Sequence, residues 1–323
     1  MEKLLRLSLI LPLLSLIATQ LLPEDFRSSR PAAPEKNSIT FSINVGLVVL
    51  PITVLDKSGR FVSGLEEKNF EIMEDGERQH IEVFDHKDMP VAVGLIIDNS
   101  SSMVPKRTEV INAALKLAES SNPDDQIFVV HFNEFVSFAL RLGQAFTSDV
   151  EELKTAVGNI SGTGMTSLYD ALVDGLEHVG ASKLPRRVLV VVSDGGDNSS
   201  RHTLKQVFDL AARSNAMIYA IGIYDEYDRE SNPKVLRNIA RVTGGEAFFP
   251  KNSSQLSEIC DRIAKDVRSQ YTLGYIPSNQ NNDGKYRSIR VSVKSPETGR
   301  LTVRTRSGYV APHEASQAGF GIR

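Results

Sequence analysis

Four apolar runs constrain this chain more than any other feature: 91–97 (VAVGLII), 127–130 (IFVV), 188–192 (VLVVV) and 217–223 (MIYAIGI). None of them alternates polar with apolar residues. A short run of this kind suits a strand covered on both faces, the condition of a parallel sheet held between two layers of helices. Between the runs the apolar spacing becomes helical. It repeats at Ile111, Leu115 and Ala118 within 105–120, and at Leu168, Leu172, Gly175 and Val179 within 167–179. It repeats again at Leu204, Val207, Leu210 and Ala211 within 203–213, and a last helix is expected over 253–268. Strands alternating with helices predict an α/β fold: a Rossmann-like, open, mostly parallel sheet with helices on both faces.

The flanks read differently. Segment 47–55 (LVVLPITVL) is β-branched, and Pro51 points to an edge or a bulge. Segment 70–84 (FEIMEDGERQHIEVF) alternates on either side of Asp75-Gly76, a hairpin signal. After Gln270 the alternation returns over 288–294 and 301–305, around turns at Asp283-Gly284 and Thr298-Gly299. The economical arrangement is one small β-sandwich-like domain built from both ends of the chain, 39–88 and 270–312, with the α/β domain of 89–269 inserted and 313–323 as a tail. Two separate β-segments are the less economical alternative.

The first 22 residues read as a signal peptide or signal anchor. Lys3 and Arg6 precede 16 uncharged residues, 7–22. As a helix these would reach about 24 Å, short of a comfortable span of the hydrocarbon, and Pro12 weakens the helix further. No clean small-x-small site ends the run, so an uncleaved anchor stays open, and membrane contact is expected only through it. No Cys follows the run, which excludes a lipoprotein anchor. Residues 23–38, polar and Pro-rich, read as a linker. The chain is expected to be exported: periplasmic, secreted or associated with the cell surface. Its charge of -3, from 37 basic and 40 acidic residues, lacks the basic excess that nucleic-acid binding needs. One cysteine, Cys260, excludes an internal disulfide and any Cys-based metal cluster within one chain.

Two of the apolar runs end alike. The first ends at Asp98, followed by Asn99, Ser100, Ser101 and Ser102; the third ends in Ser193, Asp194, Gly195 and Gly196. Ligands of open α/β sheets bind at the carboxyl ends of the strands. If these two strands are parallel neighbours, Asp98 and Asp194 converge there, and they repel unless a cation or a proton lies between them. Ser100 and Ser102 add neutral oxygens, and the Gly-flanked loop 161–168 (SGTGMTSL) adds Thr166 just before a helix. Hard oxygen donors with few carboxylates suit Mg²⁺, with Mn²⁺ or Ca²⁺ as other candidates. Plainer readings stand beside this one. The aspartates could form strand-end turns, the serines a capping loop, and Thr166 an N-cap. Asp197 is expected to turn the chain or cap the helix after Thr203. The acidic segment 224–230 is expected to be a solvated loop, His131 a core-edge residue, and Cys260 buried and inert.

Asp98-x-Ser100-x-Ser102, Thr166 in its Gly-rich loop, and Ser193-Asp194-Gly195 after a hydrophobic strand together resemble the von Willebrand factor A domain with its metal-ion-dependent adhesion site. The resemblance runs from about Pro90 to Arg268. The flanks (DKSGRFVSGL, NFEIMEDGERQHIEVF, YTLGYIP, TRSGYV) look like a bacterial exported group of such proteins. The resemblance implies that Ser100, Ser102 and Thr166 give hydroxyl oxygens to the metal and that Asp98 and Asp194 hold it directly or through water. It also implies that one position stays open for an Asp or Glu of a protein partner. Ser193 departs from the Thr common in relatives. The expected function is a metal-dependent protein-binding module without enzymatic activity and without a nucleic-acid partner. A Mg²⁺-dependent hydrolase or phosphatase and a structural envelope scaffold are the alternatives. The former lacks a second carboxylate two residues after Asp98, a Walker A loop, HExxH and GxSxG.

Overall fold

The computed structural model describes residues 46–158, 162–223, 231–295 and 299–313. The expected signal segment, the linker, the acidic segment 224–230, Ser161, Thr298 and the tail beyond 313 lie outside the described residues.

The four apolar runs become adjacent strands. β5 (Val91–Asp98), β6 (Gln126–Phe132), β8 (Arg186–Ser193) and β9 (Ala216–Gly222) are parallel to their neighbours; a short β10 (Ala247–Phe248) extends the sheet and β7 (Val136–Phe138) closes its other edge antiparallel, in the order β10-β9-β8-β5-β6-β7. Helices α1 (Arg107–Glu119), α2 (Val150–Gly158) and α6 (Ser253–Arg268) pack on one face, and α3 (Leu168–Gly180), α4 (Leu204–Arg213) and α5 (Pro233–Thr243) on the other. This is the expected α/β sheet, with both faces covered. In α3 the buried Leu168, Ala171, Leu172, Gly175, Leu176 and Val179 form one stripe. A Cβ on Gly175 would stand 2.8 Å from Ile96 Cδ1, so the missing side chain lets helix and sheet approach.

The helix from Pro105 begins later than its spacing suggests. Ser101–Lys106 winds as a 3₁₀ turn that contains Pro105, and α1 starts only at Arg107. The last helix spans Ser253–Arg268 as expected. Helices α2 and α5 were not anticipated. For α5 the signals are nonetheless plain: Asn232 caps its N-terminus by accepting from Val235 N, Pro233 opens it, and Gly244 ends it in the left-handed region.

The remaining strands form two four-stranded antiparallel sheets. One has the order β13 (Thr302–Arg304), β1 (Val48–Leu55), β11 (Tyr271–Tyr275), β4 (Val83–Asp85). The other runs β14 (Gly308–Val310), β12 (Tyr286–Val293), β2 (Phe70–Glu74), β3 (Glu77–Gln79). Leu50, Ile52, Tyr271 and Leu273 of the first sheet share one core with Phe70, Ile72, Ile289 and Tyr309 of the second. Strands from both ends of the chain therefore pair within the same sheets. Asp75 and Gly76 both have positive φ, 49° and 89°, as a tight two-residue hairpin requires. Only the first part of 70–84 belongs to that hairpin; β4 crosses to the other sheet. Pro51 lies in an inner strand, not at an edge. It pairs with Thr272 of β11, while the short β13 reaches only Thr53–Leu55, so the missing N–H leaves no gap in the ladder on that side.

Buried charge ties the layers together. Arg304 of β13 pairs with Asp266 of α6 and with Glu246, and Thr53 of β1 donates to Asp266 Oδ1 at 2.6 Å. Arg186, at the start of β8, donates to the carbonyl of Gln270 at 2.9 Å and to the hydroxyl of Thr272 at 3.1 Å. Inside the sandwich the Glu74 carboxylate accepts from Tyr275 at 2.6 Å and Tyr309 at 3.1 Å. Burial pushes the Tyr309 phenol up to about 12, helped by the Glu74 charge.

Candidate metal centre

The parallel register of β5 and β8 sets Ile97 opposite Val192. Asp98 thus ends its strand level with Ser193, and Asp194 stands one residue beyond. Both aspartates are 2% exposed. Asp98 Oδ1 accepts from Ser100 N at 3.0 Å and Oδ2 from Ser193 Oγ at 2.6 Å. Asp194 Oδ2 accepts from Ser102 Oγ at 2.6 Å and Oδ1 from Gly196 N at 2.9 Å. The hydroxyls of Ser100 and Ser102 are 3.2 Å apart. Four of the five residues singled out in the sequence are thus joined through hydrogen bonds. Burial pushes the Asp98 carboxyl from 3.8 up to about 6; the bonds from Ser100 and Ser193 work against that rise, and the charge of Asp194 adds to it.

Thr166 comes to the same end of the sheet on a loop locked from three sides. Ser101 N donates to Gly164 O at 3.2 Å, and Ser101 Oγ accepts from Gly164 N at 2.9 Å. Asn133, in the turn after β6, donates to Thr163 O at 2.9 Å and accepts at its carbonyl from Ser167 N at 2.7 Å. Asn198 accepts from Thr166 N at 2.8 Å, and the amides of Asn198 and Ser199 donate back to Thr166 O. These bonds occupy the backbone of Thr166. Its side chain is largely buried, and the hydroxyl makes no hydrogen bond among the described residues. Thr166 is not the N-cap of α3; that position is Ser167, one residue on.

Several supporting residues were not anticipated. Asn99 Oδ1 accepts from Gly162 N at 3.1 Å, and Arg107 donates to Gly162 O at 2.6 Å, pinning the start of the Thr166 loop. Asp197 does not cap α4. Thr203 does so, in a reciprocal box with Gln206. Asp197 instead accepts from Tyr169 N at 3.0 Å and from Ser200 Oγ at 2.6 Å, fastening the loop after Asp194 to the first turn of α3. Asp170 completes that fastening through Arg201 N, His202 N and His202 Nδ1. Burial opposes its ionisation, yet those bonds hold its pKa below the usual carboxylate value. Such pairings depend on which loops meet, and strand-end motifs do not encode that. Cys260 is buried, as expected, and His131, expected at the core edge, is buried in β6. Burial lowers the His131 pKa, and its Nε2 lies 2.7 Å from Ala156 O.

The domain spanning β5 to α6 has a known kindred. The sequence model of the von Willebrand factor type A domain matches residues 93–262, just over half of the chain. The chain belongs to the von Willebrand factor A family. Members of this family mostly mediate protein–protein interaction or adhesion. Among curated proteins, inter-alpha-trypsin inhibitor heavy chain H3 of Mus musculus is 27% identical over 120 residues, which is 34% of this chain and 14% of the heavy chain. The same protein of Mesocricetus auratus matches to the same extent. The chain thus spans a small fraction of the length of those relatives. Among solved structures it is similar to a von Willebrand factor type A protein of Catenulispora acidiphila, at 15% identity and a TM-score of 0.48, covering 85% of this chain and 76% of that one. It is also similar to BatB of Bacteroides thetaiotaomicron, at 18% identity and a TM-score of 0.45, covering 55% of this chain and all of that one.

The donors of this A domain fit a hard divalent cation. They are two carboxylates and three hydroxyls, with no nitrogen or sulfur among them. Among the described residues no group of three His, Cys, Asp or Glu is placed to hold a metal. A cation here would therefore rest on only two carboxylates, with neutral oxygens around them. Burial, with the Asp194 charge adding to it, disfavours the ionised Asp98 carboxylate, and a cation would favour it.

Proposed function

We propose that this chain is an exported, divalent-metal-dependent protein-binding module. Asp98, Ser100, Ser102, Thr166 and Asp194 would hold Mg²⁺, or Mn²⁺ or Ca²⁺ in its place. The partner is a protein that offers an Asp or Glu to the ion. One observation carries the reading: two buried carboxylates from different strand ends each accept a serine hydroxyl, the hydroxyls of Ser100 and Ser102 adjoin, and on a neighbouring loop stands a threonine whose backbone is pinned and whose hydroxyl is unengaged. A cation sharing only two carboxylates keeps positive charge to attract a third from outside. Ser102 is half-buried, and the exposed Val104 and Met165 adjoin Ser102 and Thr166, so the site has an apolar border that a protein partner can cover.

Export rests on the basic start and apolar run of residues 1–22. Among the described residues no helix is long and apolar enough to cross a membrane. The site is read as binding rather than catalytic, because Asp98 and Asp194 are the only ionisable side chains among the five donors and both are engaged by hydrogen bonds. The test is capture of an envelope protein by the immobilised chain in Mg²⁺. EDTA and Asp98→Ala should each abolish the capture. Capture that survives both treatments, or Mg²⁺-dependent turnover of a phosphomonoester by the chain, would overturn the proposal.

A further inference from the structure

A second site lies at the other end of the parallel sheet. Helix α4 ends at Arg213, just before β9 begins at Ala216, so this is the amino-terminal edge of the strands. There a cavity of about 410 Å³ opens between the end of α4, the start of β1, and strands β12 and β14. Its size falls within the ~300–1,000 Å³ range of small-molecule sites. Arg213, Arg287 and Arg306 line it, and among the described residues no Asp or Glu does. Carboxamides supply much of the remaining polar lining, among them Asn215, Gln280 and Asn282.

Several arginines of this molecule face a carboxylate: Arg304 has Asp266 and Glu246, Arg268 has Asp125, and Arg287 has Glu74. The buried Arg186 has none, but it donates to the carbonyls of Val267, Lys87 and Gln270 and to the Thr272 hydroxyl. Arg306 is 8% exposed, and its one side-chain hydrogen bond among the described residues goes from Nη1 to the neutral side-chain oxygen of Asn215, at 2.6 Å. Its guanidinium carbon lies 5.5 Å from the centre of the Tyr309 ring, and its Nε is buried with no partner. Desolvation holds its pKa below the ordinary arginine value. A buried guanidinium with one neutral acceptor and no direct ion pair is costly, and an oxyanion in the cavity would lower that cost. Arg213, exposed at the last turn of α4, makes no ion pair or hydrogen bond among the described residues and lines the same cavity.

We propose that this cavity binds a small oxyanion ligand, a carboxylate or a phosphate, gripped by Arg306 and Arg213, with the surrounding amides meeting its polar body. Guanidinium forks match both oxyanions in geometry, and carboxamides can donate to and accept from hydroxyl or amide groups on the rest of the ligand. The site is independent of the metal centre and stands whether or not that centre binds an ion.

The test titrates the metal-free full chain at low salt with inorganic phosphate and, separately, with succinate. Arginine side-chain N–H resonances and calorimetric heat are the readouts. Saturable binding that moves the Arg306 and Arg213 resonances is expected. A response to phosphate alone assigns a phosphate ligand, and to succinate alone a carboxylate. Arg213→Gln, at an exposed helix end, should leave the fold intact and weaken binding by about tenfold. Arg306→Lys keeps the charge but loses the planar fork, and should weaken it similarly. The proposal is overturned if neither probe binds saturably, or if the two variants bind as the wild type does.

Discussion

Replacing Asp98 by asparagine should stabilise the metal-free protein and abolish its response to Mg²⁺. The first half follows from burial. The carboxyl is pushed from 3.8 up to about 6, with desolvation as the main cause. At ~1.36 kcal/mol per pH unit, the ionised form costs the metal-free fold about 3 kcal/mol. The sign follows from the raised value: the penalty is absent below pH 3.8, grows as pH rises to about 6, and is constant above. Asparagine removes it. The side-chain oxygen still accepts from Ser100 N, but the amide cannot accept the Ser193 hydroxyl. One hydrogen bond lost takes back about 1 kcal/mol, leaving a net gain of about 2 kcal/mol at neutral pH. Urea unfolding of both proteins in EDTA, from pH 4 to pH 8, reads this directly; the gap should open with rising pH. The second half follows from linkage. At Mg²⁺ a hundredfold above its Kd the wild type gains about 2.7 kcal/mol, a rise in Tm of roughly 5–11 °C for a domain of this size, and the variant gains none. A variant less stable than wild type in EDTA at neutral pH would refute the electrostatic account. A wild type indifferent to Mg²⁺, or a variant that still responds, would refute the metal centre.

Three further outcomes follow from the packing. Arg304→Met leaves Asp266 buried without its partner and should cost about 3–5 kcal/mol in urea unfolding; a loss under 1 kcal/mol would mean Thr53 alone compensates that carboxylate. Gly245→Ala places a Cβ 1.9 Å from the carbonyl oxygen of Ile218 and should prevent soluble folding, whereas Gly180→Ala, with open space at the end of α3, should change stability by no more than about 1 kcal/mol; equal expression and melting of the two variants would contradict the geometry. Burial pushes the Cys260 thiol up to about 12, so at pH 8 the native protein should resist a thiol reagent that labels it fully in guanidinium; fast native labelling would show that α6 opens.

Several things were decided by the sequence alone. Unbroken apolar runs can be satisfied only between two layers, so 91–97, 127–130, 188–192 and 217–223 had to become inner strands of a covered sheet. Asp75-Gly76 had to turn, because few residue pairs accept two positive φ values. Asp98, Ser100, Ser102 and Asp194 stood out because they lie at or just past strand ends, and Thr166 because its loop runs into α3. Helix α5 carries signals just as plain, in the Asn-Pro that opens it and the Gly-Gly that stops it. Other features had no local signal. Pro51 sits in an inner strand because β13, some 250 residues later, is too short to need its N–H. Asp197 serves α3 rather than α4 because Thr203 and Gln206 already satisfy the nearer helix. Which strands neighbour each other, and hence that Asp98 meets Ser193 while Ser102 meets Asp194, was settled by the crossovers of the chain. So was the placing of Arg306 beside Asn215 and Tyr309. Hydrophobic period is a property of neighbours in sequence, whereas charge compensation depends on what is brought close in space, and only the folded chain determines that.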